Sequence, residues 1–239
     1  MPPTGVILHI AILEDDTDLA VNMGKFLSMS GHTSRIFKDG QNLISAVSDG
    51  RFDMFVLDWH VPIMSGLEVL KTLRGQYKVT RPVIFLTSVS DELQMAKALN
   101  MGADDYWVKP VQLNHFIQRL TSFGQPEYED RDMLDGHPIC GYHFDSTSNT
   151  VRFNLTSVTL NERDFVIAKM LFKRIGRPVS RHELLNSIWG TVDSLSSKEL
   201  DQHIFRIKQL LNLGVYNQSL RLTSITGFGF RLNQIFLDD

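Results

Sequence analysis

The chain has 239 residues, of which 43% are hydrophobic, so it is long enough to form two folded domains of ordinary size. Its one cysteine, Cys140, excludes an intramolecular disulfide and favours a reducing, cytoplasmic setting. The net charge of −3 is spread unevenly, with −2 over residues 1–121, −4 over residues 122–138 and +3 over residues 139–239. A mildly basic third part is compatible with a polyanionic partner but does not by itself establish one.

Over residues 1–121, short apolar runs alternate with segments of helical periodicity. Apolar runs of this length, separated by helices, are typical of parallel strands buried on both faces. The first run is short, lacks a basic leader and ends in acids, so we predict a strand there and expect no membrane segment. The predicted strands are Val6–Leu13, His32–Phe37, Met54–Leu57, Val83–Leu86 and Tyr106–Val108.

Helices are predicted between these strands. The first begins near Asp16, which we favour as a helix cap over a metal ligand. It ends before Gly31, because glycine readily adopts the left-handed conformation that often follows the end of a helix. The last begins at Pro110, since proline suits a first helical turn. Five such β-α units predict a doubly wound α/β domain with a five-stranded parallel sheet. The remaining helices are expected around residues 41–47, 67–74 and 92–99.

Polar side chains directly follow four of the predicted strands. Because the carboxyl ends of parallel strands share one edge of an open sheet, these side chains are expected to converge where ligands bind. Three acids, a separate aspartate, a hydroxyl and a lysine suit a divalent metal and a phosphoryl group on a carboxylate. The residues are Glu14, Asp15, Asp16, Asp58, Thr87 and Lys109.

Residues 122–137 carry five acids with glycine, proline and little apolar periodicity, so we predict a linker between domains 1–121 and 138–239. The second domain opens with short strand-like runs and continues with three helices, at about 162–174, 181–189 and 197–211. A capping side chain precedes each helix, three positions before an acid; these are Asn161, Ser180 and Ser196. A hairpin is predicted over Leu220–Leu232, with Gly227 and Gly229 at its turn.

Two segments of the first domain carry motifs of a known family. Asp58–Gly66 (DWHVPIMSG) matches the phosphorylation segment D-x-x-[LV]-P-x-x-x-G, and Gly102–Pro110 (GADDYWVKP) matches G-A-D-D-Y-x-x-K-P. The acidic cluster, the aspartate, the threonine and the Lys-Pro pair also occur in the family's order. Residues 6–121 therefore resemble the receiver domain of a two-component response regulator.

The resemblance implies that Asp58 accepts a phosphoryl group from a histidine kinase and forms an acyl phosphate with the help of Mg²⁺. By analogy with the family, Asp15 and Asp58 bind the metal directly and Glu14 acts through water. The backbone carbonyl of His60 completes the set of protein ligands, and its imidazole is not assigned as a ligand. The domain promotes its own phosphorylation and dephosphorylation but is otherwise not an enzyme.

The same resemblance assigns roles to three further residues. Lys109 is expected to bring a compact positive charge to the phosphoryl oxygens, and Thr87 a hydroxyl hydrogen bond. In the family, the aromatic residue that matches Tyr106 turns inward when the hydroxyl engages phosphate. We therefore predict that Thr87 and Tyr106 form a switch, since a phosphoryl group of about −1.5 to −2 charge is able to bias a two-state element.

The second domain resembles the winged helix-turn-helix domain of the OmpR/PhoB family, an α+β fold. The order of strands, three helices and a hairpin matches, as do four segments: Arg177–Arg181, Trp189-Gly190, Asp201–Ile204 and Gly227–Leu232. The third helix places Leu200, Ile204, Ile207 and Leu211 on one face, which is expected to pack on the core.

The other faces of the third helix are expected to bind promoter DNA. By resemblance, Arg206 is the main base-reading residue, Lys198 and Lys208 contact phosphates, and Gln202 is a further DNA-binding candidate. Thr226 stands in the wing where relatives usually have an arginine. The helix is also less basic than in many relatives, so we expect weaker electrostatic affinity or greater reliance on dimerisation.

Relatives form dimers of active receivers through complementary charges. Asp105 and Arg119 match two of these positions, which predicts an inter-subunit pair on phosphorylation. His115 stands where relatives usually have glutamate, and Met95 where they often have a basic residue, so one familiar ion pair is expected to be missing. Because exposed pairs contribute about 0–1 kcal/mol each, its loss is expected to weaken the dimer without abolishing it.

The sequence thus predicts a phosphorylation-controlled transcriptional regulator, with RNA polymerase as a further possible partner. An effector that acts mainly through protein partners, or independently of phosphorylation, is the alternative. A metal-dependent phosphatase is disfavoured, since common members need a second aspartate where His60 stands. The signal, the kinase, the operator and the activating or repressing sense are not encoded in any recognisable motif.

Overall fold

The computed structural model describes residues 6–48, 50–124, 138–190, 194–214 and 219–235. The chain divides into two units, residues 1–129 and 130–239, and this division falls within the predicted linker. Residues 125–137 lie outside the described part of the chain, so the extent of the linker stays a prediction.

The described residues of the first unit form five strands and five helices in strict alternation. The strands are β1 (His9–Leu13), β2 (Thr33–Phe37), β3 (Met54–Leu57), β4 (Val83–Thr87) and β5 (Asp105–Val108). The helices are α1 (Thr17–Met29), α2 (Gly40–Val47), α3 (Gly66–Gly75), α4 (Glu92–Asn100) and α5 (Leu113–Gly124). All strand pairs are parallel, in the order β2-β1-β3-β4-β5, which confirms the predicted doubly wound sheet.

The position of a strand in this sheet explains its sequence. Every residue of β3 and β4 is buried, so these inner strands are continuous apolar runs instead of alternating ones. In the edge strand β2, by contrast, Thr33, Arg35 and Ile36 are exposed. The inner strands therefore supply the rigid frame on which the polar residues after their carboxyl ends are held.

Two element boundaries of the first unit differ from the prediction by three residues each. The first strand begins at His9 because its pairing with β2 starts there, opposite Thr33, and the preceding Val6 is 60% exposed. The last helix begins at Leu113 and not at Pro110. Pro110 lies in a bend, and Val111 and Gln112 separate it from the helix, whose first described hydrogen bond runs from the Phe116 N–H to the Gln112 carbonyl.

The ends of α1 follow the predicted capping chemistry. One carboxylate oxygen of Asp16 accepts hydrogen bonds from the N–H groups of Asp18 and Leu19, at 2.9 and 3.1 Å. Gly31 follows the helix with a φ of +83°, a conformation that side chains with a Cβ rarely adopt. The roles of Asp16 as a cap and of Gly31 as the left-handed residue are thereby confirmed.

In the second unit, the part of the chain that the structure describes forms two small antiparallel sheets and three helices. Its strands are β6 (Tyr142–Asp145), β7 (Thr150–Phe153), β8 (Thr156–Thr159), β9 (Pro178–Ser180), β10 (Leu220–Ile225) and β11 (Gly229–Gln234). Its helices are α6 (Glu162–Lys173), α7 (Arg181–Trp189) and α8 (Ser194–Leu210). One sheet has the order β6-β7-β8 and the other β10-β11-β9, and the predicted α+β arrangement with a final hairpin is confirmed.

Two of the three predicted helix caps in this unit are present. Asn161 accepts from the Asp164 N–H, and Ser180 forms a reciprocal capping box with Glu183. The prediction for Ser196 was wrong, because α8 begins at Ser194 and Ser196 lies within its first turn. Apolar periodicity does not encode the first residue of this helix.

Within the described residues, none of the helices combines the length and the apolar character that crossing a bilayer requires.

A buried histidine connects the amino end of β2 with the last helix of the first unit. His32 accepts a hydrogen bond at Nδ1 from the Leu8 N–H, and its Nε2 lies 3.3 Å from Thr121 Oγ1. Since the Thr121 hydroxyl donates to the Ile117 carbonyl, Nε2 carries the proton of a neutral ring. Burial lowers the pKa of His32 below its ordinary value, because the charged imidazolium would lose its hydration.

We predict that His32 makes the first unit less stable in mild acid. The unfolded chain protonates this ring near pH 6.5, whereas the folded chain resists, so the free energy of unfolding falls as pH drops below about 6.5. One such group contributes a slope of at most about 1.4 kcal/mol per pH unit.

Urea unfolding of the full chain at pH 7.5 and 5.5 checks this expectation. His32→Asn, which keeps an acceptor for Leu8 but does not titrate, should reduce the pH dependence, and the exposed His182→Gln should not. An unchanged pH dependence in the His32 variant would contradict the assignment.

Candidate functional sites

Three carboxylates lie together at the carboxyl edge of the parallel sheet. Glu14 and Asp15 follow β1, Asp58 follows β3, and ligand oxygens from all three lie within 4.8 Å of one another. Glu14 and Asp58 are buried, whereas Asp15 is exposed. Oxygen ligands clustered beside solvent fit Mg²⁺, a hard cation that keeps several of its waters.

Lys109 reaches this cluster from the end of β5. Its Nζ lies 2.6 Å from Glu14 Oε2 and 2.6 Å from Asp58 Oδ2. Burial lowers the pKa of the Lys109 ammonium, but its hydrogen bonds and ion pairs with Asp58 and Glu14 outweigh burial and raise that pKa above its ordinary value. Burial also raises the pKa of the Glu14 carboxyl, although Lys109 opposes this. The cluster therefore holds more negative charge than Lys109 neutralises, which favours a further cation.

Gly66 allows α3 to begin directly against the Asp58 loop. A Cβ at this position would overlap the backbone carbonyl oxygen of Asp58, so only glycine fits. The Gly66 N–H donates to the Trp59 carbonyl, and the Trp59 N–H donates to Asp58 Oδ1. The glycine that ends the DWHVPIMSG segment is thus part of the support of the Asp58 carboxylate.

Thr87 and Tyr106, the predicted switch residues, both bond the backbone of Val89. The Thr87 hydroxyl accepts from the Val89 N–H at 3.3 Å, and the Tyr106 hydroxyl donates to the Val89 carbonyl at 2.8 Å. Tyr106 is 1% exposed, so its ring lies inward. Burial, followed by the charges of Asp58 and Asp91, raises the pKa of Tyr106 to about 12. The shared residue gives the two side chains a direct physical connection.

His60 lies two residues after Asp58, in the loop between β3 and α3, with an exposed side chain. The carboxylate cluster is formed without it. The role of its backbone carbonyl as a metal ligand stays a prediction.

Asp105 and Arg119 form a pair within one chain, and their pairing between subunits stays a prediction. Arg119 Nε donates to Asp105 Oδ2 at 3.0 Å, and Trp107 Nε1 donates to the same oxygen at 2.8 Å. Asp105 is fully buried, so its carboxylate is satisfied inside its own subunit. His115 is half-buried on the same helix, α5, as Arg119.

In the second unit, α8 presents one apolar and one polar face. The apolar face is buried as predicted and consists of Leu200, Ile204, Ile207 and Leu211. Lys198, Gln202 and Arg206 are exposed on the opposite side, and Lys208 is half-buried. Thr226 is exposed in the turn between β10 and β11. The structure therefore leaves these predicted DNA-binding residues at least partly accessible.

Arg206 is nevertheless not a free cation, because it pairs with a buried acid, Asp164, which was expected only as the acid that follows the Asn161 cap. Its Nη1 lies 3.0 Å from Asp164 Oδ2, and His203 Nδ1 lies 2.5 Å from Asp164 Oδ1. Asn161 Nδ2 donates to the same carboxylate at 2.7 Å. One feature of the sequence points to this pairing. Asp164 shares a helix face with Ala168, which is a buried apolar residue. An unpaired acid on a buried face would be costly, so a partner for Asp164 is expected.

A second ion pair fixes α8 against α7. Arg181 donates to both carboxylate oxygens of Asp201, at 2.7 and 3.0 Å, and to the Ser197 carbonyl at 2.7 Å. Its guanidinium also lies 5.5 Å from the centre of the Phe230 ring. Arg181 therefore orients the amino-terminal half of α8. The residue belongs to the quoted segment Arg177–Arg181, but the segment does not indicate this role.

Comparison with known proteins agrees with both halves of the structure. The family described as "Response regulator receiver domain" matches residues 10–121, and "Transcriptional regulatory protein, C terminal" matches residues 155–232. The sensory transduction protein RegX3 of Mycobacterium tuberculosis (strain ATCC 25618 / H37Rv) is 28% identical, over 93% of this chain and 98% of its own length. PhoB of Rhizobium meliloti, a phosphate regulon transcriptional regulatory protein, is 28% identical, over 93% and 97%.

A solved structure, that of the response regulator DrrB of Thermotoga maritima, is 24% identical with a TM-score of 0.49 and covers 95% of this chain and 100% of its own. The two family matches together span most of the sequence. The chain belongs to the OmpR/PhoB family of two-component response regulators, with a receiver domain followed by a winged-helix DNA-binding domain.

We predict that Asp164→Asn destabilises the winged-helix domain by about 3 kcal/mol, since removing one member of a buried ion pair leaves its partners unpaired. An amide places donors against the donors of Asn161, His203 and Arg206. Hydrogen exchange of the backbone amides in α6 and α8, measured on the full chain, should accelerate up to about a hundred-fold.

Glu162→Gln is the matched control, because it removes an exposed acid from the same first turn of α6 and costs the same interaction with the helix dipole. Equal acceleration in the two variants would show that the buried network contributes nothing beyond helix charge.

Proposed function

We propose that Asp58 accepts a phosphoryl group from a histidine kinase and that this event controls binding of promoter DNA by the winged-helix domain. The contact of Lys109 with both Asp58 and Glu14, at 2.6 Å each, is the observation that supports the proposal most directly. It places a cation at the carboxylate that would attack phosphorus. It also leaves an excess of negative charge that suits a divalent metal.

The proposed transfer is a displacement at phosphorus. A carboxylate oxygen of Asp58 attacks the phosphorus as the bond to the kinase imidazole nitrogen breaks, which leaves an acyl phosphate and a free imidazole. Lys109 then turns its ammonium from Glu14 to the phosphoryl oxygens, which carry most of the charge. Glu14, Asp15, Asp58 and the His60 carbonyl would hold Mg²⁺, which when bound supplies charge neutralisation for those oxygens.

The proposed response begins at Thr87. Its hydroxyl, which accepts from the Val89 N–H, would donate instead to a phosphoryl oxygen. That movement alters the backbone at Val89, to which the Tyr106 hydroxyl is bonded, and so links the acceptor to β5. The face formed by α4, β5 and α5 is then the surface through which two phosphorylated chains associate on DNA. RNA polymerase is the further partner expected of such a regulator.

We predict that Asp58 is labelled by acetyl phosphate in the presence of Mg²⁺ only, and that Asp58→Asn abolishes labelling because an amide cannot act as the nucleophile. Mass spectrometry of the intact chain measures the added phosphoryl group. Asp39→Asn is a matched control, since both aspartates are 8% exposed and Asp39 is a helix cap that asparagine can replace. Persistent acid-stable label on the Asp58 variant would refute the assignment.

We further predict that Thr87→Val keeps phosphorylation of Asp58 but loses the response of DNA binding. Phosphorylation of the wild type should strengthen DNA binding about ten-fold or more, within the usual range for coupled sites. Thr87→Ser retains the hydroxyl and should retain the response. Affinity for selected duplexes, with sedimentation to follow dimer formation, measures both. Equal wild-type affinity with and without phosphate would favour an effector that acts independently of phosphorylation.

A further inference from the structure

We propose that Phe205 reads thymine methyl groups and that the centre of α8 selects A·T base pairs. This inference rests on the proposed binding of DNA and adds a specificity that the family match does not supply. It is carried by an exposed aromatic ring in the middle of the helix face that is available to a major groove.

The position of Phe205 distinguishes it from an ordinary exposed apolar residue. Phe205 is 66% exposed, although single apolar residues on a surface need no explanation by themselves. It lies three residues after Gln202 and four before Gln209, and both glutamines are exposed. Residues at these spacings share one helix face, opposite to the face that is buried against the core. Within the described part of the chain, no aromatic ring or cation stacks on Phe205.

The chemistry of the groove offers one apolar partner to such a ring. Base edges in the major groove present donors and acceptors, and thymine alone adds a methyl group. Contact with that methyl removes apolar surface from water on both sides, which is favourable by about 0.8 kcal/mol per methylene-sized group, or about four-fold in affinity. A guanine or cytosine at the same step would place polar groups against the ring without a hydrogen bond.

The neighbours of Phe205 select the same base pair. Glutamine is suited to adenine, because its amide oxygen accepts from the adenine N6 amino group while its amide nitrogen donates to N7, and adenine pairs with thymine. Gln202 and Gln209 therefore reinforce the preference of the ring. Arg206, the residue suited to guanine, has part of its charge and one Nη1–H engaged by Asp164. Amide and aromatic groups thus dominate the free part of this face, with Lys198 at its amino end for a phosphate.

The test removes single methyl groups from the DNA and leaves every hydrogen bond intact. Duplexes are selected from a random pool with the full chain, and each thymine of the best duplex is replaced in turn by deoxyuridine. Dissociation constants are measured for the wild type and for Phe205→Ala, Phe205→Leu and Leu155→Ala. Leu155 is the matched control, because it is fully exposed in the β7–β8 turn and lies outside α8.

We expect deoxyuridine at one or two positions to weaken wild-type binding about four-fold. Phe205→Ala should bind the thymine duplex about ten-fold more weakly, and the same replacements should then have no further effect. Phe205→Leu should keep part of the sensitivity to the methyl group, and Leu155→Ala should match the wild type. Deoxyuridine losses that are equal in the wild type and in Phe205→Ala would overturn the inference.

Failure of the inference is distinguishable from failure of the proposed function. If the wild type enriches no duplex from the pool, the proposal of DNA binding falls and this inference falls with it. If a duplex is enriched but contains no A·T pair whose thymine methyl matters to Phe205, DNA binding stands and the inference alone is overturned. Enrichment of G·C-rich duplexes through Arg206 would also overturn it, because the arginine would then be the dominant reader.

Discussion

The receiver domain depends on a lysine held between two carboxylates. Lys109 arrives from the fifth strand and meets Glu14 from the first and Asp58 from the third, so one contact joins three strand ends. Two buried acids without that cation would repel each other in a setting of low dielectric constant. With it, the acids remain close but still carry excess negative charge. The same arrangement therefore stabilises the resting site and, under the proposed function, prepares it for a divalent cation and then for a phosphoryl group.

The winged-helix domain also contains a buried acid, but there its hydrogen-bonding partners all belong to the domain. Asp164 is a buried carboxylate that accepts from an amide, an imidazole and a guanidinium, and it ties α6 to α8. There the acid is fully satisfied and nothing is left for a ligand. This pairing reduces the number of hydrogen bonds that Arg206 is able to donate to DNA, because one of its N–H groups donates to Asp164 inside the domain. A buried acid thus leaves excess negative charge in one domain, and in the other it restrains a residue that is proposed to read bases.

The sequence predicted the elements well because both periodicities are strong, and it predicted the receiver cluster because parallel strands must place their carboxyl ends at one edge. It did not indicate the contacts between side chains of distant elements. Arg119 and Asp105 were predicted to pair between subunits on phosphorylation, and the structure adds a contact between them within one chain. Arg206 was treated as free because Asp164, 42 positions earlier, is linked to it only by the tertiary packing of two helices. Neither pairing is encoded by spacing.

These local pairings change how the DNA-binding face should be understood. A recognition helix dominated by free arginines derives much of its affinity from phosphates and released counterions, and that affinity is strongly salt-dependent. Here an arginine is partly neutralised, the wing carries Thr226, and the accessible centre of α8 presents Phe205 between two glutamines. Such a face gains less from general electrostatic attraction and more from contacts that require particular base edges. Discrimination between sequences would then be large relative to total affinity, and two chains bound side by side would supply the remaining attraction to DNA.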